Sequence, residues 1–306
     1  MKTLYPVRGI ITVLNTPFDA HGRIAEDDLR QNVRLALRAG VAGFLVPALA
    51  SEVYSLRVEE RLQMVAAVRE EVGGRVPVFA GAGETTPARR LQMVQHYREL
   101  GCQEVLLQIP FTNEAEFKKE FYQLAAKGPE VLMLQDWDAS GYGLPEALVL
   151  ELFHDVENFR CLKVETVPAG VKYSRLGTLT EGQLHLSGGW AVTQMIEGLR
   201  RGVHAFMPTG MHRIYTALYQ YFQAGQFEKA EALFHQLLPV LAFSNQHLDI
   251  SLHFFKRLLH RQGVYRTSLV RAPTLPFDTF HEQLADGLIE RVIRLERELE
   301  GTLEVL

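Results

Sequence analysis

Gly9-Ile10-Ile11-Thr12-Val13-Leu14 runs directly into Asn15-Thr16-Pro17-Phe18. A short apolar run bounded by glycine on one side and a proline turn on the other reads as a buried strand. In a doubly wound nucleotide-binding sheet, the turn after the first strand usually carries G-x-G-x-x-G. This turn has no glycine at all, so the strand opens a different α/β architecture.

Working outward, similar runs recur at Gly43–Pro47, Val76–Gly81, Glu104–Ile109, Val131–Asp136, Arg160–Glu165, Gln183–Ser187 and Ala205–Pro208. Stretches of helical spacing separate them: Glu26–Ala39, Val58–Glu71, Pro87–Leu100, Glu114–Ala126, Pro145–Phe153, Thr193–Arg201 and Ile214–Ala224. Gly40 and Gly101 stand where helices would end. The interval Thr166–Leu179 has the weakest helical pattern. Alternating strands and helices of this kind build a parallel sheet, and eight units match a (β/α)₈ barrel. The barrel is expected over 1–225. From Gln226 the pattern is helical only, at Phe227–Leu238, Leu248–Arg261 and Thr279–Glu300, so 226–306 is expected to be a helical extension.

Composition narrows the classes. Hydrophobic residues at 47% and charged residues at 22% exclude disordered and coiled-coil chains. A net charge of −4 without a basic run argues against nucleic acid as a partner. Cys102 and Cys161 lie in apolar stretches with no second cysteine nearby, which excludes a disulfide framework and fits a reducing cytoplasm. No apolar run reaches membrane-spanning length, so no membrane association is expected. The eleven histidines show no ligand spacing, and no metal site is expected.

In a barrel, chemistry sits at the C-terminal ends of the strands. Lys163 closes the sixth strand in Phe159-Arg160-Cys161-Leu162-Lys163-Val164-Glu165. Period-two alternation puts Cys161, Lys163 and Glu165 on one face. Facing inward, Lys163 would sit where the ammonium is disfavoured and the free amine becomes accessible for imine formation. The competing reading is a strand-end lysine paired with Glu165. Proton acceptors at strand ends are Asp136, the first choice, then Glu165, Glu52 and Glu84. Glu165 is alternatively a structural partner of Lys172 or Arg175. Ser187-Gly188-Gly189 offers backbone N–H groups for a carboxylate or phosphate, with Ser51 and Thr16 as further donors.

These residues fall in an order that resembles the dihydrodipicolinate synthase / N-acetylneuraminate lyase family of Schiff-base aldolases. The opening strand with Thr16-Pro17-Phe18 is similar to that family's TPF turn. Ser51-Glu52 followed by Leu56 and Glu59-Glu60-Arg61 resembles its GTTGE loop and helix start. Ala80-Gly81-Ala82-Gly83, Ile109-Pro110-Phe111 and Leu186-Ser187-Gly188-Gly189 resemble the turns after the third, fourth and seventh strands. Lys163 falls where the family's imine-forming lysine ends the sixth strand. The resemblance implies a cofactor-free lyase, an aldolase or dehydratase, acting on pyruvate or a 2-keto-3-deoxy sugar acid, assembled as a homodimer or homotetramer. Thr112 and Met207, after the fourth strand and in the eighth, join Thr16, Ser51, Glu52, Gly188 and Gly189 in the expected binding set.

Several positions depart from the family. The threonine pair of its second loop reads Leu49-Ala50, its fifth-strand tyrosine reads Gln135, its second TPYY tyrosine reads Thr112, and its carboxylate-binding arginine aligns near Ser140. Leucine and alanine side chains donate no hydrogen bond, and an amide is neither acid nor base at neutral pH. The expectation is a lyase without the synthase's proton relay, with Lys163, Asp136, Gln135 and Glu165 as the catalytic set. The alternatives are a non-catalytic barrel that binds a small carboxylate, and a phosphate-binding barrel enzyme that uses the Gly188-Gly189 turn.

Overall fold

The computed structural model describes residues 2–138, 140–189, 192–271 and 273–300. Eight parallel strands close in sequence order into a barrel: β1 (Gly9–Val13), β2 (Gly43–Val46), β3 (Val78–Gly81), β4 (Glu104–Leu107), β5 (Val131–Asp138), β6 (Phe159–Thr166), β7 (His185–Gly188) and β8 (Ala205–Phe206). The helices between them are α1 (Glu26–Arg38), α2 (Val58–Val72), α3 (Pro87–Glu99), α4 (Glu114–Lys127), α5 (Glu146–Asp155), α6 (Ala169–Leu179) and α7 (Met195–Arg200). α8 (His212–Gln223), α9 (Phe227–Ser244), α10 (Leu248–Arg261) and α11 (Thr279–Glu298) complete the chain. The expected (β/α)₈ barrel with C-terminal helices is the observed fold. Positions 301–306 of the expected extension lie outside the described residues.

The helix starts follow local chemistry. Thr86 accepts from the Arg89 N–H, with Pro87 opening α3. Asn113 accepts from the Glu116 N–H at α4, and Asp278 from the His281 N–H at α11. Each satisfies one of the donors that a helix leaves unpaired at its first turn. Gly40 and Gly101 take the left-handed conformation just past α1 and α3, as their positions in the sequence suggested.

Two compact units make up the chain: Met1–Arg8 with Pro77–Met207, and Gly9–Val76 with Pro208–Leu306. These units do not follow the 225/226 boundary. In the first, β4 pairs with β5, β5 with β6, β6 with β7 and β7 with β8. Its core is the apolar face of α3 to α7 laid on those strands, with Phe117, Phe121 and Phe159 among its largest buried side chains. The helix α6, weakest in the sequence, is formed. Its inward positions are Ala169, Gly170, Lys172, Tyr173 and Leu176, and the lysine among them is what broke the apolar stripe.

The second unit explains its own extent. After α10 the chain runs as a strap along the loops that follow β1 and β2. The Tyr265 hydroxyl donates to the Asn15 carbonyl (2.9 Å), Arg266 donates to Asp28 (2.8 Å), and the Thr267 hydroxyl donates to the Phe18 carbonyl (2.6 Å). Arg271 forks onto Glu60 (2.7 and 3.0 Å) and also donates to the carbonyls of Gly22 and Ser55. Its backbone N–H donates to Glu52 (2.8 Å). Lys256 on α10 pairs with Glu52 and donates to the Leu269 carbonyl. Both cations lie 4.2 Å from the centre of the Phe18 ring, a favourable placement over an aromatic face.

Candidate active site

β5 and β6 run in register, Gln135 beside Lys163, Asp136 beside Val164 and Trp137 beside Glu165. Alternation along each strand puts Gln135, Trp137, Lys163 and Glu165 on one face and Asp136 on the other. The contacts follow that division. The Gln135 amide donates to Glu165 Oε2, and Lys163 Nζ lies 3.3 Å from Glu165 Oε1. Gln135, Lys163 and Glu165 are all buried, Lys163 being 5% exposed. Glu165 thus holds a donor on each carboxylate oxygen, and the Lys163 amine is kept beside a carboxylate placed to exchange a proton with it. The two α6 residues expected as partners of Glu165 form other ion pairs. Lys172 pairs with Asp136, and Arg175 pairs with Glu146 at 2.7 Å.

The turn after β7 shapes the other side of Glu165. A Cβ on Gly189 would meet Glu165 Oε1 at 1.9 Å, so only glycine leaves that carboxylate its place. The backbone cradle expected to take a substrate carboxylate at Gly189 therefore already faces a carboxylate of the protein. Gly188 does a different job. The place of its side chain is filled by the Phe206 ring (2.8 Å) and the Tyr173 hydroxyl (2.9 Å), which makes it a packing position. Met207 is buried, and its N–H donates to the Gly188 carbonyl (2.7 Å).

Asp136, the first choice for a proton acceptor, points away from Lys163. Its Oδ1 accepts from the Leu144 N–H (2.8 Å) and its carboxylate pairs with Lys172. Lys172 Nζ also donates to the carbonyls of Tyr142 (2.6 Å) and Leu144 (2.7 Å). Burial pushes the Asp136 carboxyl above its ordinary range, and Lys172 opposes that shift. The reason for the placement is phase. A residue adjacent to Gln135, which stands in register with Lys163, belongs to the opposite face. Asp136 and Lys172 fix the loop that follows β5 and do not reach the amine.

Other expected residues are also occupied. Thr112 is exposed, and its hydroxyl donates to Glu116 (3.3 Å) at the start of α4. Glu84 is buried, its carbonyl accepting from Arg90. In the second unit, the Thr16 hydroxyl donates to the Ser51 carbonyl (2.6 Å), and the Ser51 hydroxyl donates to the Leu14 carbonyl while accepting from the Ala48 N–H. The donors expected of Thr16 and Ser51 are spent on holding the loop after β2. Glu52 is turned to Lys256 and to the Arg271 N–H, so it secures that loop and is not placed as a base. Among the described residues no group of three His, Cys, Asp or Glu side chains is arranged to hold a metal. No helix among them is long and apolar enough to cross a membrane.

A family model described as the dihydrodipicolinate synthetase family matches residues 6–291. The chain belongs to that family. Its relatives include a 4-hydroxy-tetrahydrodipicolinate synthase of Xanthomonas axonopodis pv. citri, 27% identical over 294 residues, with 94% of this chain and 95% of the relative covered. Another, from Methanopyrus kandleri, is 25% identical over 243 residues, covering 77% and 81%. The fold is shared with the dihydrodipicolinate synthase of Rhodopseudomonas palustris, with a TM-score of 0.87 at 18% identity and 95% and 100% of the two chains covered. As a member of the dihydrodipicolinate synthetase family, the protein is an enzyme of the class I aldolase-type lyases.

Against that family pattern, sequence reading missed two residues. Lys172 is expected from the sequence only as a partner for Glu165, and its pairing with Asp136 follows from strand phase. Trp137 lies just past the expected end of the fifth strand at Asp136. The strand continues through Asp138 and carries Trp137 to the face of Gln135, where its side chain is 50% exposed.

Proposed function

We propose that this member of the dihydrodipicolinate synthetase family is a Schiff-base lyase acting on a 2-oxo acid, pyruvate or a 2-keto-3-deoxy sugar acid, with Lys163 as nucleophile and Glu165 as the proton carrier. The observation that carries the reading is the buried Lys163–Glu165 contact at 3.3 Å, with Gln135 holding the other oxygen of Glu165. At rest, Lys163 and Glu165 stand as an ion pair. As substrate enters and water leaves, the proton passes to Glu165 and the free amine attacks the keto carbon. Glu165 returns the proton to the departing hydroxyl, and water is lost as the imine forms. The imine then draws electrons from C3: either Glu165 takes a C3 proton, or it takes the proton of a C4 hydroxyl as the C3–C4 bond breaks, the aldehyde leaves and the electron pair moves toward the imine nitrogen. Gln135 takes no proton and keeps Glu165 aimed.

This reading makes the chain a poor dihydrodipicolinate synthase, because Leu49, Ala50 and Gln135 stand where the family's relay uses hydroxyl groups. In the unit that carries Lys163, Thr112 and Met207 act as braces, Thr112 through Glu116 and Met207 through the Gly188 carbonyl. No cofactor is needed for imine chemistry. Two buried free cysteines, Cys102 and Cys161, support a reducing compartment, and a homodimer or homotetramer is the assembly proposed, although one structural relative is described as a monomeric variant. The completeness of the Lys163–Glu165 ion pair favours a second reading, in which the barrel binds a carboxylate without turning it over.

Borohydride reduction in the presence of pyruvate or 2-keto-3-deoxy sugar acids, followed by peptide mass spectrometry, separates the two. A covalent adduct on the Lys163 peptide, absent in Lys163→Ala, supports the lyase. Folded protein that traps none of these acids leaves the binding barrel.

A further inference from the structure

Trp137 presents half of its surface in a place where the rest of its face is buried. Gln135, Lys163 and Glu165 on that face are each less than a tenth exposed, while Trp137 is 50% exposed. It stands in register with Glu165, two residue pairs beyond Gln135 and Lys163 toward the C-terminal ends of the strands. An indole left open to water forgoes most of the gain from burying so large an apolar surface, so an open one beside a reactive amine is a binding surface in search of its ligand. Val167, just past β6 and two positions beyond Glu165, is 55% exposed, and it follows the strand that pairs directly with β5.

The charge around this surface limits what it can receive. Lys163 is consumed by the 2-oxo acid in the proposed reaction. Lys172 is locked to Asp136, and Arg90 to Glu120 at 2.6 Å. Glu165 faces the site, and Asp138 ends β5 with its carboxylate accepting from Ser140 and Gly143. A second carboxylate on the reacting partner would meet Glu165 and Asp138, while Lys163, Lys172 and Arg90 are already engaged. A polyhydroxylated tail would meet an indole face that offers one donor.

We propose that Trp137 forms the wall of the subsite for the reacting partner, and that this partner is a neutral aldehyde carrying an aromatic or extended apolar group. The inference rests on the imine chemistry proposed above and replaces the sugar tail with an apolar one. In the cleavage direction, the amine of Lys163 and the C2 carbonyl of a 4-hydroxy-2-oxo acid form an imine and release water. Glu165 takes the proton of the C4 hydroxyl, the C3–C4 bond breaks, and its electron pair moves toward the imine nitrogen. The aldehyde leaves from the indole wall. The remaining enamine is protonated at C3, and water releases pyruvate and regenerates Lys163. Condensation is the same sequence reversed, and it needs no oxidant or other co-reactant.

The test is condensation of pyruvate with benzaldehyde, glyceraldehyde and succinic semialdehyde, with products measured by chromatography and mass spectrometry. The expected result is a KM for benzaldehyde at least tenfold below those of the other two. Trp137→Ala should collapse that difference by at least tenfold and Trp137→Phe should restore most of it, a ratio that a purely structural role of the indole would not move. A preference for the anionic aldehyde by the unaltered enzyme overturns the proposal, whether or not the variants fold. So does an equal change in all three KM values in Trp137→Ala, or a change in oligomeric state with the KM ratio intact. Trapping of pyruvate on Lys163 with no turnover of any aldehyde overturns this proposal alone. Failure to trap any 2-oxo acid overturns the imine reading beneath it.

Discussion

Asp136 and Lys172 form an ion pair with side chains 1% and 0% exposed, on the strand face opposite the Gln135–Glu165 contact. Each half of the pair is also bound to the loop after β5, Asp136 through the Leu144 N–H and Lys172 through the carbonyls of Tyr142 and Leu144. The same segment of β5 is thus held from behind by one carboxylate and used in front through Gln135.

Removing one partner of that pair leaves a buried charge without compensation. Lys172→Met and Asp136→Asn are each expected to lower stability by about 3–5 kcal/mol. The double variant Asp136→Leu/Lys172→Met should recover a large part of the loss, because two apolar groups need no partner. Chemical denaturation of the three variants measures this, and additive losses would show that the two residues act separately.

Gly189→Ala tests the room left for Glu165. Its Cβ would lie 1.9 Å from Glu165 Oε1, so the carboxylate must swing away from Lys163 or Gln135. The expected outcome is a fall in kcat of about 10²-fold, the scale of a misplaced general base, with thermal stability changed by only a few degrees. Unaltered kcat for any trapped 2-oxo acid would remove Glu165 from the mechanism.

Glu165→Gln keeps the shape of the side chain and its contact with Lys163 while removing the proton acceptor. Turnover should fall by about 10²- to 10⁴-fold. Steady-state kinetics on the best 2-oxo acid identified by trapping provides the check, and a loss below fivefold would assign the proton transfers to another group.

The protein should lose stability in acid in two stages. Burial lowers His185 to about 3 and His212 to about 4, from an ordinary value of 6.5. Below pH 6.5 the unfolded chain takes up protons that the folded one refuses, so stability present above 6.5 is lost as the pH falls toward those values. Arg271 lowers Glu60 to about 2, from an ordinary value of 4.5. That contribution is present above pH 4.5 and drains away as the pH falls toward 2. Across its full range each group contributes on the order of 3–5 kcal/mol. Urea melts between pH 8 and pH 4 should show the first stage, and His212→Gln should flatten it.

Arg271→Ala removes the fork on Glu60 together with donors to Gly22 and Ser55. Glu60, with a side chain 7% exposed, is then left with Arg57 alone. A loss of about 2–4 kcal/mol is expected, with Arg271→Lys recovering only part because an ammonium lacks the planar fork. Thermal melts of the two variants decide between this and a merely solvated surface arginine.

The barrel was legible because its signals are local. Apolar runs, helix-capping residues and the absence of a glycine turn after β1 all lie within a few residues of what they specify. The alternation in β6 was legible for the same reason, and it placed Lys163 and Glu165 on one face. Asp136 was misjudged because residue type was weighed before strand phase. With Gln135 in register with Lys163, an adjacent carboxylate belongs to the other side. α6 was obscured by Lys172, whose buried ammonium looks polar until Asp136 is set against it. The role of Glu52 depended on Lys256 and Arg271, some two hundred positions along the chain. Separation on that scale leaves no periodic trace.

The strap from Tyr265 to Arg271 also orders events during synthesis. A ribosome releases the loops after β1 and β2 early, with Asp28, Glu52 and Glu60 already in place, but their cations Arg266, Lys256 and Arg271 emerge only after α9 has been made. Until then those carboxylates stay hydrated and the two loops lack their lasting form. At translation rates of about 5–20 residues per second that interval is on the order of ten seconds or more, during which the nascent chain holds the first strands of a barrel whose rim is still unbuckled. A message truncated after α8 would yield that state permanently, a polypeptide with every strand present and the carboxylates after the first two still without these cations.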